Sequence, residues 1–265
     1  MNSRSGLFQS MSLPKTFRMT STSVNIPTTF FFSATTCILG PQSGGFQAAL
    51  QGGRLLDAGM LNTMILYVSA LMEVKSAMGV IVAAPTAGSC GGLPGAVIGA
   101  AERIGLSEDQ MAQAMLAAGM IGVFICARST FAAEVCGCMA ECGSGSGMAA
   151  AALVTLAGGS ARQAVDAASM ALQNTLGMIC DPVAMRVEVP CLGKNVLAAS
   201  NALACANMAL AGYDAVIPLD EAIATMDRVG RSLPMELRCT ALGGLSLTAT
   251  SKAIEKKLAS KISQG

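Results

Sequence analysis

No histidine occurs anywhere in the 265 residues, and that absence is the sharpest constraint in the sequence. It excludes Ser-His-Asp and Cys-His catalysis, and zinc sites of mixed Cys/His type, unless a partner chain contributes the imidazole. Tryptophan is also missing and only two tyrosines are present, which removes the aromatic platforms on which single-stranded nucleic acid stacks. Charge is scarce as well. Charged residues make up 12% and the net charge is +1, against a usual charged share of about 25%. With no basic stripe there is no electrostatic case for nucleic acid.

Acidic residues are absent altogether from residues 1–56, where Arg4, Lys15, Arg18 and Arg54 stand among many Ser and Thr. That bias is typical of an organellar transit peptide. The alternative is an eroded start, because the run from Pro27 to Phe32 fits no amphipathic helix. The organisation expected is a segment 1–51 apart from a domain over 52–265. The compartment expected is the cytoplasm, with an organelle as the alternative.

Apolar residues account for 52% of the chain, so disorder, which needs low hydrophobicity and high charge, is excluded. The mean hydropathy of +0.56 raises a membrane reading. Met111–Ala127 is near the lower length limit for a span and contains Gln113, while Ala58–Met72 is shorter and holds Asn62 and Thr63. Elsewhere the apolar residues are mostly Ala, Gly and Met, which suit close helix packing in a soluble core. No membrane association is expected, and a helical membrane protein stays as an alternative.

From about Gly52 onward the pattern is helical, and a single all-α domain is expected. Ser107-Glu-Asp-Gln110 and Ser160-Ala-Arg-Gln163 have the form of capping boxes. After the second, Val165, Ala168, Leu172 and Leu176 share a face, with Gly177 at the position of a C-terminal cap. Asp220 can cap a helix carrying Ile223, Met226 and Val229 inward and ending at Gly230. Ile254 and Leu258 mark a last amphipathic piece. Val80–Ala83 is the one short β-branched run. Three stretches dense in Gly, Pro and Ser, Ala84–Gly95, Cys136–Gly147 and Cys180–Gly193, are expected as loops, and loops carry function more often than helices do.

Ten cysteines are present. In a reducing compartment they are buried hydrophobes, reactive thiols or metal ligands. Cys126 and Cys205 fall within apolar helical runs and are expected in the core. Cys136, Cys138, Cys142, Cys180 and Cys191 lie in or beside the small-residue loops, where backbone amides can hydrogen-bond to sulfur. Asp181-Pro182 after Cys180 reads as a helix start that would turn its positive end toward such a site. No CxxC pair occurs, so spacing alone leaves a metal site and simple packing both open.

Taken in order, these stretches resemble the α domain of the iron–sulfur L-serine dehydratases. The matching pieces are Met78-Gly-Val-Ile-Val-Ala-Ala-Pro-Thr-Ala-Gly-Ser89 with Leu93-Pro-Gly95, and Gly137-Cys-Met-Ala-Glu-Cys-Gly-Ser144 with Met148-Ala-Ala-Ala-Ala-Leu153. They continue with Cys180-Asp-Pro-Val-Ala184, Val187-Glu-Val-Pro-Cys191 and Asn195, then Arg231-Ser-Leu-Pro234 and Ala241-Leu-Gly-Gly-Leu245. Each piece is moderately specific; the ordered set, from about Gly52 onward, is very specific.

The resemblance implies an all-α fold whose loops converge on a four-iron four-sulfur cluster, held by Cys138, Cys180 and Cys191, with no pyridoxal phosphate. It implies β-elimination of water from L-serine to give pyruvate and ammonia, the iron without a protein ligand acting as Lewis acid. Thr86, Ala87, Gly88 and Ser89 suit a substrate-carboxylate cradle, although a tight helix–helix turn would need the same small residues. Ser144 and Ser146 could bond cluster or substrate, or begin a helix; Glu141 and Glu188 could serve the site or the structure. The general base is not identified.

Two departures stand out. Lys75 replaces an Asn frequent in the family, and Lys194 replaces an Arg, which keeps charge but not the bidentate fork. Lys194 could equally be a solvated surface residue. The family uses a β subunit or β domain with a His-containing loop that nothing here matches, so a β partner and an oligomer are expected. A related lyase acting on threonine or cysteine, and a non-catalytic cluster-binding subunit, remain as alternatives.

Overall fold

The computed structural model describes residues 37–262, with side chains described to residue 260. The transit-peptide reading therefore falls mostly on residues outside the described part, as does the segment Pro27–Phe32.

The described residues fold as one helical body. Its helices are α1 (Ser43–Gln51), α2 (Met60–Ser76), α3 (Gly92–Ile104), α4 (Glu108–Arg128), α5 (Ala133–Cys136), α6 (Ser144–Leu156), α7 (Ala161–Gln173), α8 (Cys191–Leu210), α9 (Leu219–Ser232) and α10 (Ala249–Ile262). Among the described residues no strand ladder forms, only an isolated bridge between Cys180 and Arg238. Val80 and Val82 instead lie exposed in the connection between α2 and α3. A β-branched run without a neighbouring strand has nothing with which to pair.

The core is organised around α6, which packs against α3, α4, α7 and α8. Every residue from Ser144 through Val154 is buried, as expected of a helix that is apolar on all sides. Because it is built from Gly, Ser and Ala, its neighbours approach its backbone closely. The α2–α3 pair uses the same device: a methyl on Gly95 would lie 2.7 Å from the Val68 backbone nitrogen, and one on Gly99 would lie 2.7 Å from Met64 Cα. Dispersion between close-packed backbones does here what large side chains do in other cores.

Both capping boxes form. Ser107 accepts from the Gln110 amide while the Gln110 side chain accepts from the Ser107 amide, and Ser160 and Gln163 repeat the arrangement. Two helix ends differ from expectation. Helix α7 stops at Gln173, short of Gly177, where the Thr175 hydroxyl takes up the carbonyls of Ala171 and Leu172. Helix α9 is preceded by Pro218, with Asp220 inside its first turn. Gly230 lies within that helix rather than after it, and its lack of a side chain serves close packing: a Cβ there would sit 2.4 Å from Cys136 Cβ.

The stretch Cys136–Gly147 is not a loop. Met139–Gly143 is a π-helical turn that runs straight into α6. Helix α4 is long and apolar enough to cross a membrane by length and composition, with 28% of its most apolar window buried. Ala114, Ala118, Ile121, Gly122 and Ile125 face the body, and Leu116, Met120, Val123 and Phe124 are exposed. Cys126 shares the outer face and is exposed, contrary to the core position expected of it; Cys205 is buried.

Candidate metal and substrate site

Three stretches far apart in sequence meet beside the N-terminal end of α6. The first is the turn that precedes α3. Its peptide before Pro85 is cis. The Ser89 amide donates to Thr86 Oγ1 at 3.2 Å, the two hydroxyls are 3.1 Å apart, and Thr86 Oγ1 donates to Glu141 Oε1 at 2.7 Å. Gly88 lets Glu141 approach this turn, since a Cβ there would lie 2.9 Å from both Glu141 oxygens. Ala87, in the same turn, is exposed.

The second stretch is the π-helical turn, which carries Glu141 and Cys142 and begins after Cys138. A π turn widens the helix by one residue, and such turns recur at functional sites. The third runs from Cys180 to the start of α8. Cys180 is held by its neighbours at both backbone groups: its amide donates to Leu237 O at 2.9 Å, and its carbonyl accepts from the Cys239 amide at 3.1 Å. No α-helix starts at Asp181. Pro182 and Pro190 flank the segment, and Ala184 and Met185 adopt left-handed backbone angles that an α-helix does not admit. Asp181 instead pairs with Lys194 at 2.8 Å and accepts from the Leu245 amide at 3.0 Å. The helix end turned toward the site is that of α8, whose first residue is Cys191.

Asn195 ties the stretches together from a fully buried position. Its Oδ1 accepts from the amides of Gly91 and Gly92 at 3.1 and 2.9 Å, and its Nδ2 donates to the carbonyls of Gly88 and Cys191 at 3.0 and 2.9 Å. One side chain thus fixes the turn before α3 against the start of α8.

Among the described residues, Cys138 Sγ, Cys180 Sγ and a Glu141 oxygen form a potential metal-binding group in which all ligand atoms lie within 4.8 Å of one another. Cys191 is outside that group but close enough that the Cys138 charge acts on it. Burial first, and that charge second, push its thiol up to about 12. A hydrogen bond from Cys180 holds the Cys138 thiol below its ordinary value, helped by the Lys194 ammonium 3.7 Å from its sulfur. Cys180 is correspondingly raised, as the donor to both Cys138 and Cys239. Burial raises the Glu141 carboxyl, and the Thr86 hydroxyl partly offsets this. Burial also raises Cys142.

Several groups lie elsewhere. The Cys136 thiol faces α9, 3.9 Å from both the carbonyl and a carboxylate oxygen of Asp227. Glu188 accepts from the amides of Ile38 and Leu39 and so anchors the N-terminal part of the described chain. Ser146 donates to Ala198 O, and Ser144 Oγ lies 3.9 Å from Met226 Sδ, both within the packing of α6. Lys194 is not on the surface; it donates to Ile179 O at 2.6 Å as well as to Asp181.

Two groups at the site had no signal in the sequence spacing. Cys239 reaches Cys180 through tertiary pairing and holds a left-handed backbone, φ +62°. The Lys75 ammonium nitrogen is buried without a hydrogen-bond partner among the described residues. The donor set fits an iron–sulfur cluster: three soft cysteine sulfurs, Cys138 just before the π-helical turn and Cys180 and Cys191 from the stretch leading into α8, buried and with the Lys194 ammonium beside one of them.

Comparison with known proteins agrees with this picture. A family profile described as "Serine dehydratase alpha chain" matches residues 21–246. The chain is 41% identical over 223 residues to a "Probable L-serine dehydratase, alpha chain" of Bacillus subtilis, covering 84% of this chain and 74% of that protein. It is 44% identical over 184 residues to the "L-serine dehydratase, alpha chain" of Peptoniphilus asaccharolyticus, covering 69% of this chain and 63% of that one. A longer relative, "L-serine dehydratase TdcG" of Escherichia coli, is 37% identical over 185 residues, which span 40% of its length.

Proposed function

The chain belongs to the serine dehydratase alpha chain family, and from that premise we propose that it is the catalytic α chain of an L-serine dehydratase. The reaction is the β-elimination of water from L-serine, with the resulting enamine tautomerising and hydrolysing to pyruvate and ammonia. The observation that carries this reading is the convergence of Cys138, Cys180 and Glu141 beside the Thr86–Ser89 turn, with Cys191 at the adjoining helix start.

Cys138, Cys180 and Cys191 would hold a four-iron four-sulfur cluster, and with three protein ligands for four irons such a group supplies a Lewis acid for the departing hydroxide. Side chains of this chain supply several further roles. The Lys194 ammonium, 3.7 Å from the Cys138 sulfur, favours its ligating thiolate form. Thr86 and Ser89 orient the substrate by their hydroxyls, in a turn that Asn195 fixes. Glu141 is the proton acceptor best situated for the substrate Cα: Thr86 engages Oε1 and leaves Oε2 for the proton. A β chain or β domain completes the site, since this chain has no imidazole of its own.

Anaerobic reconstitution with iron and sulfide, followed by a pyruvate assay with L-serine in the presence and absence of a β chain, tests the proposal. A brown protein with about four irons per chain that forms pyruvate with the partner supports it. Colourless, iron-free protein, or iron-loaded protein that leaves serine unchanged beside its partner, would overturn it.

A further inference from the structure

Among the described residues, the Lys75 ammonium is one of two buried cationic groups with an unpartnered nitrogen, the other being Arg238 at Nε. The Lys75 nitrogen is buried and has no hydrogen-bond partner among the described residues, although a buried charge is ordinarily paired. Lys75 lies in the last turn of α2, one turn beyond Met72. Met72 marks what that face of the helix looks toward: its Sδ is 3.9 Å from Cys90 Sγ, and its side chain would lie 2.8 Å from a Cβ on Gly91. Residues three apart share a helix face, so Lys75 is carried beside the turn that Thr86 and Ser89 build. Its charge acts on Glu141, Cys191 and Cys90, favouring the ionised form of each. It forms an ion pair with none of them.

We infer that Lys75 is a further substrate-binding residue whose ammonium pairs with the α-carboxylate of the amino acid held beside the Thr86–Ser89 turn and Glu141. This rests on the dehydratase reading. A small monoanion is the partner the surroundings call for. The nearby anions belong to the ligand set or to Thr86, while the Thr86–Ser89 turn offers neutral donors and no positive charge. A carboxylate set against that turn gains a point charge from Lys75 and a hydrogen bond from the Ser89 hydroxyl, whose proton is not committed to Glu141.

The test uses anaerobically reconstituted protein assembled with its β partner, and L-alanine as an unreactive ligand with the same carboxylate and amino groups. L-Alaninamide, which lacks the carboxylate charge, is the control. Calorimetry should show L-alanine binding weakened about 10- to 100-fold in Lys75→Met, the usual loss for a charge-assisted contact, with Lys75→Asn in between. L-Alaninamide binding should be weak and equal in all three, and iron content unchanged. Equal L-alanine affinity in wild type and Lys75→Met, or loss of iron in that variant, would overturn the assignment. If Lys75→Met does not fold, the alanine-to-alaninamide ratio in Lys75→Asn against wild type decides alone. Wild-type protein that binds L-alanine through Lys75 yet forms no pyruvate from L-serine would defeat the dehydratase reading and leave the carboxylate contact standing.

Discussion

Glu141 lies directly over Gly88, so near that a single methyl group at Gly88 would stand 2.9 Å from both carboxylate oxygens. The carboxylate is held there by Thr86, two residues before that glycine. Gly88→Ala therefore must move either the turn or Glu141. Displacing a reacting group by about 1 Å costs on the order of 100-fold in rate, so a fall of that size in kcat/KM is expected. The thermal midpoint should change little, because the turn is partly open. Steady-state kinetics beside a melting curve would check both.

Glu141→Gln keeps a side chain of the same shape that can still accept from Thr86, and removes the proton acceptor. If Glu141 takes the Cα proton, kcat should fall by about 10²- to 10⁴-fold while iron content stays at the wild-type level. Iron loss in this variant would instead make Glu141 a ligand.

Each of Cys138→Ser, Cys180→Ser and Cys191→Ser should lower the iron bound after reconstitution, whereas Cys136→Ser should not, because that thiol faces Asp227 on α9. Iron analysis of the four variants decides the ligand set. Since a bound group stabilises the folded chain by mass action, chelation should lower the melting temperature of wild type and of Cys136→Ser, but not of the three ligand variants.

Asn195→Ala leaves two amides and two carbonyls at the heart of the site without their partner. Buried groups stripped of a hydrogen bond cost about 1–3 kcal/mol each, part of which relaxation recovers, so a loss of about 3 kcal/mol is expected. Denaturant unfolding at unchanged m-value would register it.

Tyr67 gives the fold an alkaline dependence. Burial first, and then its hydrogen bond to Glu102, raise the phenol well above its ordinary value of about 10. A raised folded-state value means that the contribution is fully present below pH about 10 and is lost as pH rises beyond it. Stability should thus decline above that pH in wild type, and Tyr67→Phe should flatten the decline. Urea titrations at pH 8 to 11 would show the difference.

What the sequence made legible was local. Both capping boxes and the inward residues Ile223 and Met226 follow from spacing alone, because a helix start and a helix face are written within a few residues of one another. Helix ends were less legible. The end of α7 is set by the Thr175 hydroxyl, and Gly230 serves close packing against a side chain ninety-odd residues earlier. The glycines and serines of Cys136–Gly147 mark close approach rather than a loop, and composition gives both uses the same appearance. Cys126 misled for a related reason: a helix apolar all round does not announce which face meets the body. At the site, motif order singled out Cys138, Cys180, Cys191 and the Thr86–Ser89 turn. Cys239 and the ammonium of Lys75 arrive by tertiary placement, which one-dimensional spacing does not encode.

Helix α6 carries only Met148 as a large side chain between Ser144 and Ala152, and this makes that part of it a gauge. Its neighbours approach its backbone closely, so the distance from α6 to α8 is set by small groups such as Ser146, which donates to Ala198 O of α8. Cys138 precedes α6 by one short turn and Cys191 opens α8, so the gap between those two sulfurs inherits the tolerance of the backbone contact. Enlarging an alanine in the middle of α6, far from either thiol, would open the jaws of the site like a shim driven between two plates.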